Sequence, residues 1–91
     1  MTTNVSSRLI YAAQIRAARG LLNWSQGELA ERAGVSKQSV TRIENGSMDA
    51  RFSTMTAMND AIRAAGVEMT EDATGTVLLT ISRDKLLPPS A

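Results

Sequence analysis

Residues 26–45 read QGELAERAGVSKQSVTRIEN, and this stretch constrains the chain more than any other. Leu29, Ala30 and Ala33 recur at helical spacing, Gly34 interrupts, and Val40 and Ile43 resume the spacing. Each run is shorter than the roughly 12–15 residues below which an isolated helix is marginal in water. Two such runs joined by one tight turn persist only if they cross closely and bury each other. Ala30 is small enough for the crossing, Gly34 suits a left-handed turn, and Val35 can plug that turn. Ser25 and Ser36 precede the two runs as N-caps, and Glu28 completes a capping-box pattern with Ser25. Lys37, Gln38, Ser39, Thr41 and Arg42 are left as a polar outer face on the second helix.

The flanking sequence supplies the rest of a small helical core. Tyr11, Ile15, Ala18 and Leu22 predict a helix over 8–22, with Gly20 in its last turns and Asn23-Trp24 as a connection. Residues 1–7 are polar and are expected to be frayed. Asn45-Gly46 is a stop signal, followed by a loop that ends at Arg51-Phe52. Ser53 is expected to cap a fourth helix, with Met55, Met58, Ile62 and Ala65 inward, Thr56 and Asn59 among them, and Gly66 at its end. The period then changes from helical to alternating, which predicts a β-hairpin over 67–83 with its turn at 71–75. Residues 84–91 contain Pro88-Pro89 and are expected to be a flexible tail. Tyr11, Trp24 and Phe52 each flank a predicted helix and are read as packing residues rather than stacking platforms.

Composition removes several kinds of chemistry. The 91 residues make one domain, 43% hydrophobic, with no cysteine and no histidine. Disulfides, thiol catalysis, ordinary zinc sites and histidine-based triads are therefore excluded. No apolar run approaches the roughly 20 residues of a membrane span. The start MTTNVSSR lacks the charged and apolar regions of a secretory leader, so a cytoplasmic location is expected. The net charge is only +1, yet it is unevenly spread. Residues 1–51 hold seven basic and four acidic residues, net +3, and residues 52–91 hold three basic and five acidic, net −2. A basic front and an acidic rear suggest one side that faces a polyanion.

Taken in order, Ser25-Gln26, Leu29-Ala30, Gly34-Val35-Ser36, Val40, Ile43-Glu44 and Asn45-Gly46 resemble the Xre / lambda repressor–Cro family of helix-turn-helix regulators. The resemblance covers roughly residues 9–67 and includes Ile15-Arg16-x-x-Arg19 upstream and Arg51-Phe52 downstream. It implies a mainly α, four-helix lambda-repressor-like DNA-binding domain over 8–66, to which the β-hairpin is added. It further implies base contacts from Lys37, Gln38 and Arg42, whose donors and acceptors match guanine and adenine edges in the major groove. Thr41 lies on the same face and can meet a thymine methyl. Phosphate contacts are expected from Gln26, Ser36, Ser39, Asn45, Gly46 and Arg51, with free N–H groups in the loop contributing. Arg19 and Glu44 match a structural ion pair between the first and third helices.

The expected function is a sequence-specific transcriptional regulator of bacterial or phage type, acting as a homodimer on an inverted-repeat operator. A repressor that controls its own gene is the favoured form, with double-stranded DNA as partner and no cofactor, membrane or enzymatic activity. The apolar segment around Val77, Leu79 and Ile81 is too hydrophobic for an open edge, so these residues are expected at the dimer interface. Two alternatives remain: an antitoxin whose tail covers a toxin, and a protein-interaction module without DNA binding. Lys37, Gln38 and Arg42 weigh against the second.

Overall fold

The computed structural model describes residues 4–47 and 51–82. Among them the chain forms α1 (Asn4–Leu22), α2 (Gln26–Ala33), α3 (Lys37–Glu44), α4 (Phe52–Ala64), β1 (Val67–Glu71) and β2 (Val77–Ile81). This is a mainly α fold closed by a two-stranded antiparallel hairpin. The first helix starts at Asn4, four residues earlier than the apolar pattern predicts. No Gly or Pro stands in residues 4–7 to oppose it, and adding residues to an existing helix gains one hydrogen bond each. The expected frayed segment thus shrinks, and residues 1–3 lie outside the described residues, as does the tail at 84–91.

The ends of the short helices follow their sequence signals. Ser25 Oγ accepts from the Glu28 N–H at 3.0 Å, and Ser36 Oγ accepts from the Ser39 N–H at 3.0 Å. The Glu28 carboxylate turns to Arg32, 3.9 Å away, rather than back toward Ser25. Gly34 adopts φ 71° and ψ 31°, and the Val35 N–H then reaches the Ala30 carbonyl at 3.0 Å. Asn23 ends α1 the same way at φ 58°, a conformation asparagine tolerates better than most residues. The fourth helix departs from expectation. Arg51 occupies its N-cap with no side-chain hydrogen bond, and Ser53 falls inside the first turn. The Arg51 carbonyl already accepts the first helical bond, from the Met55 N–H at 3.0 Å, so the helix begins before the better capping side chain.

The core is one cluster. Ile15, Leu29, Val40, Met58, Ile62 and Val67 are fully buried, one or two from each element except β2. Burying each of the larger side chains contributes roughly 1.5–3 kcal/mol. Met55 and Ala65 are only partly buried at the margin of that cluster. Trp24 is 9% exposed, and the Arg32 guanidinium lies over its ring, 4.6 Å from the centroid. Tyr11 packs as expected and also donates to Asn59 Oδ1 at 2.7 Å, which explains a polar residue among the apolar positions of α4. Burial pushes the Tyr11 hydroxyl up to about 12. Phe52 does not pack: it is 83% exposed. It stands at the first residue of α4, beyond the part of that helix that meets the core.

The hairpin pairs Val67 with Ile81, Met69 with Leu79 and Glu71 with Val77. Its inner face lies on α1 and α4, with Val67 buried and Met69, Leu79 and Ile81 partly buried against the core. An isolated hairpin is marginal in water, and this packing on the chain's own helices supplies what it lacks. The turn is closed by Asp72, whose Oδ1 accepts from the Thr74 hydroxyl at 2.6 Å and from the N–H groups of Thr74 and Thr76 at 2.8 and 3.0 Å. These bonds hold the Asp72 carboxyl below its ordinary value.

Two glycines in this frame should respond oppositely to one added methyl group. Gly20 lies within α1, where an added Cβ would meet nothing within 4 Å, whereas Gly34 needs its positive φ. Gly20→Ala should raise stability by roughly 0.5–1 kcal/mol and Gly34→Ala lower it by about 1–2 kcal/mol. Urea denaturation of the two variants checks both signs.

Candidate nucleic-acid interface

The orientation of α3 depends on Glu44, which is 5% exposed at the C-terminal end of that helix. Arg19 of α1 grips its carboxylate with two prongs, Nε to Oε2 at 2.6 Å and Nη2 to Oε1 at 2.9 Å. The third guanidinium nitrogen, Nη1, donates to the Trp24 carbonyl at 2.9 Å. Gln26 of α2 donates from Nε2 to Glu44 Oε1 at 2.9 Å. Arg16 donates to the Glu44 backbone carbonyl at 2.9 Å. One carboxylate therefore joins α1, α2 and α3. Burial alone would push the Glu44 carboxyl up, but the hydrogen bonds from Arg19 and Gln26, aided by the nearby guanidinium charges, outweigh it and hold the group below the usual carboxylate range. The same bond raises the Arg19 pKa.

The expected ion pair between Arg19 and Glu44 is present, and Gln26 and Thr41 are drawn into it. Thr41 Oγ1 lies 2.9 Å from Gln26 Oε1 and 3.1 Å from the Lys37 carbonyl, so its single proton serves one or the other. Both ends of the Gln26 amide thus lie within hydrogen-bond distance of groups in the chain, and Thr41 is only half-exposed. Arg16, adjacent to Ile15 in sequence and three residues before Arg19, was not assigned a role from sequence; its spacing on the same helix face is the signal that was available.

Val40 and Ile43 point into the core, and the opposite face of α3 presents Lys37, Gln38 and Arg42, all exposed. Among the described residues, none of these three side chains has a hydrogen bond or ion pair. The acid of α3, Glu44, is turned inward and neutralised, so the outer face carries Lys37 and Arg42 without a countercharge of its own. Ser36 and Ser39 sit at the N-terminus of α3 with their hydroxyls 2.9 Å apart. The loop residues require a correction. The N–H groups of Asn45 and Gly46 are not free: they bond to the carbonyls of Thr41 and Arg42 and of Ile43, closing the end of α3. A helix leaves its last carbonyls without partners, and the following N–H groups supply them. Asn45 keeps an exposed side chain, while Gly46 offers no donor. Arg51 is exposed at the N-cap of α4. Val77, Leu79 and Ile81 lie elsewhere, on a strand that packs on β1 and α1, whereas α3 packs on α1 and α2.

Two capped helices joined by a left-handed glycine, with the second presenting an unpaired basic and amide face, define a DNA-binding helix-turn-helix domain. The model of the helix-turn-helix family matches residues 15–64. The chain belongs to that family, in its Xre / lambda repressor-like form, and is a DNA-binding transcription regulator. A search of curated proteins gave no match. Among the described residues no helix is long and apolar enough to cross a membrane, and no cluster of acidic residues could hold a metal ion.

The Glu44 side chain is 3% exposed and that of Arg19 is 21% exposed, so removal of the arginine strands a buried anion. Arg19→Leu should cost about 3–5 kcal/mol at neutral pH. Because the folded pKa of Glu44 is lowered, its stabilisation is complete above the unfolded value, about 4.3, and disappears as pH falls through the folded one. Glu44→Gln should therefore lose less stability than wild type on acidification from about pH 4.5. Thermal melts across that range decide it, and parallel acid slopes would rule out the coupling.

Proposed function

We propose that this regulator is a sequence-specific repressor that binds an inverted-repeat operator as a homodimer and controls its own gene. The observation that carries the reading is the outer face of α3. Among the described residues Lys37, Gln38 and Arg42 are exposed and unpartnered, on a helix held by the Glu44 hub against two others. Arg42 and Lys37 can donate to guanine, and Gln38 can pair with adenine. Gln26 retains a second amide N–H beyond the one given to Glu44, which can meet a phosphate at the N-terminus of α2. Arg51, Ser36, Ser39 and the Asn45 side chain are assigned to the DNA backbone, and Thr41 contributes its methyl group and the positioning of Gln26.

Dimerisation is assigned to the edge of β2. The hairpin bonds Ser82 N–H to Gly66 O at 2.7 Å and Asp72 N–H to Thr76 O at 2.9 Å. In an antiparallel ladder this directs the N–H and C=O groups of Val77, Leu79 and Ile81 away from β1. The strand VLLTI carries no charge, and Leu78 is 54% exposed beside that edge. Pairing it with β2 of a second copy removes an aggregation-prone edge and relates two recognition helices by a two-fold axis, as an inverted repeat with half-sites roughly 34 Å apart requires.

Selection from a random duplex library identifies the operator. On it, Arg42→Ala should lose about 1–3 kcal/mol and relax preference at one position, while Gln26→Ala should weaken selected and random duplexes alike, at fixed salt. Equal losses on both duplexes for Arg42→Ala would assign it to phosphate instead. Val77→Pro removes an outward N–H at the start of β2 without taking a bond from the hairpin, so it should give a folded monomer that binds paired half-sites no better than single ones. Leu79→Glu is the poorer test, because Leu79 also packs on the chain's own core. Sedimentation of wild type as a monomer at micromolar concentration would refute the dimer.

A further inference from the structure

The other edge of the hairpin differs in charge and surroundings. By the same ladder pattern, Val67, Met69 and Glu71 turn their N–H and C=O groups away from β2. Among the described residues nothing bonds to them. A groove of about 250 Å³ runs along this strand, with Val67–Glu71 as one wall and Tyr11, Gln14, Asn59 and Arg63 as the other. The wall is polar and fixed: Tyr11 and Asn59 are hydrogen-bonded to each other at its base. Its charge is acidic. Glu68 and Glu71 stand exposed on β1, and the cation opposite, Arg63, is already 3.3 Å from Asp60.

We propose that the β1 edge is a docking site for an extended basic segment of another protein, added as a third strand to the hairpin. Main-chain bonds to Val67, Met69 and Glu71 would hold the segment, and lysine or arginine side chains on its two faces would meet Glu68 on one face of the hairpin and Glu71 on the other. A second copy of this chain is the wrong occupant. Antiparallel pairing of two β1 strands brings two Glu68 carboxylates onto one face and two Glu71 carboxylates onto the other with no cation between them, and neighbouring like charges on a ladder are destabilising. The uncharged β2 edge carries no such penalty, so the two edges divide the work: β2 for self-association, β1 for a basic partner. Such a partner would reach the regulator on a strand distinct from α3, leaving the helix that faces DNA uncovered.

The probe is a short fluorescent valine-rich peptide with lysine or arginine at positions three apart, so that each face of the added strand carries a cation, compared with a twin that carries glutamate in place of the basic residues. Anisotropy should show the basic peptide binding about tenfold tighter than its twin. In amide-resolved NMR, the signals of Val67, Met69 and Glu71 should shift and exchange more slowly, and those of Glu68 and Thr70, already bonded to β2, should change less. Met69→Pro removes an outward N–H without breaking the hairpin ladder and should abolish peptide binding. Glu68→Lys combined with Glu71→Lys leaves the edge intact and should exchange the preference toward the acidic twin. Both variants should bind DNA like wild type, which separates this proposal from the reading of α3. Equal affinity for the two peptides, or unchanged binding by both variants, would overturn it. Protection of the Met69 amide that rises with protein concentration, without peptide, would give the edge to a second copy and overturn it equally.

Discussion

The buried carboxylate of Glu44 is the constraint on which the arrangement of helices depends. An ionised group at 3% exposure is tolerable only when its charge and lone pairs are met, and Arg19, Gln26 and the guanidinium of Arg16 meet them from two other helices. Apolar packing of Ile15, Leu29, Val40 and Ile43 brings the helices together, but it is non-directional. The two-pronged bond from Arg19 is directional, so it fixes the rotation of α3 about its own axis. That rotation decides which side chains face outward.

The consequence is a division of labour along a helix of eight residues. Ser36 and Ser39 close its beginning, Asn45 and Gly46 close its end, and the side chains between them alternate between core and surface. Gln26 and Thr41 stand between the two roles. They connect the hub to the exposed face, so a change at either alters both the fit of α3 and the surface it presents. A residue in this position reads as a ligand contact by sequence position and as a structural tie by hydrogen bonding, and its chemistry permits both.

The hairpin shows how one small sheet can have two unlike edges. Its inner face is covered by α1 and α4, which gives a two-stranded unit the support it lacks alone. Its edges remain, one apolar and uncharged, the other acidic and set beside a polar groove. Edge strands that are open and uncharged invite pairing, whereas charged ones resist it unless the incoming strand carries the opposite sign. The proposed self-association and the proposed recognition of a basic partner thereby rest on different strands of the same unit.

Much of this was legible in the chain itself. The caps Ser25 and Ser36, the left-handed Gly34, the spacing of Leu29, Ala30, Val40 and Ile43 and the change to an alternating period after Gly66 are local signals, and local hydrogen bonding and sterics enforce them wherever the chain folds. The outward placement of Lys37, Gln38 and Arg42 follows from the same periodicity. Four features read differently in the structure, two because they depend on what lies across space and two through local helix bonding. Phe52 reads as a packing residue but overhangs the core, and the apolar face of β2 reads as unpartnered but lies partly on α1; Asn45 and Gly46 read as free donors but their N–H groups complete α3, and Ser53 reads as a cap but the Arg51 carbonyl already accepts the first bond of α4. Sequence alone determined the helices, the turn and the exposed basic face, since these rest on contacts a few residues apart. Tertiary structure alone decided that Gln26 and Arg16 converge on Glu44 and that Thr41 meets Gln26, since that depends on the angles at which three helices cross.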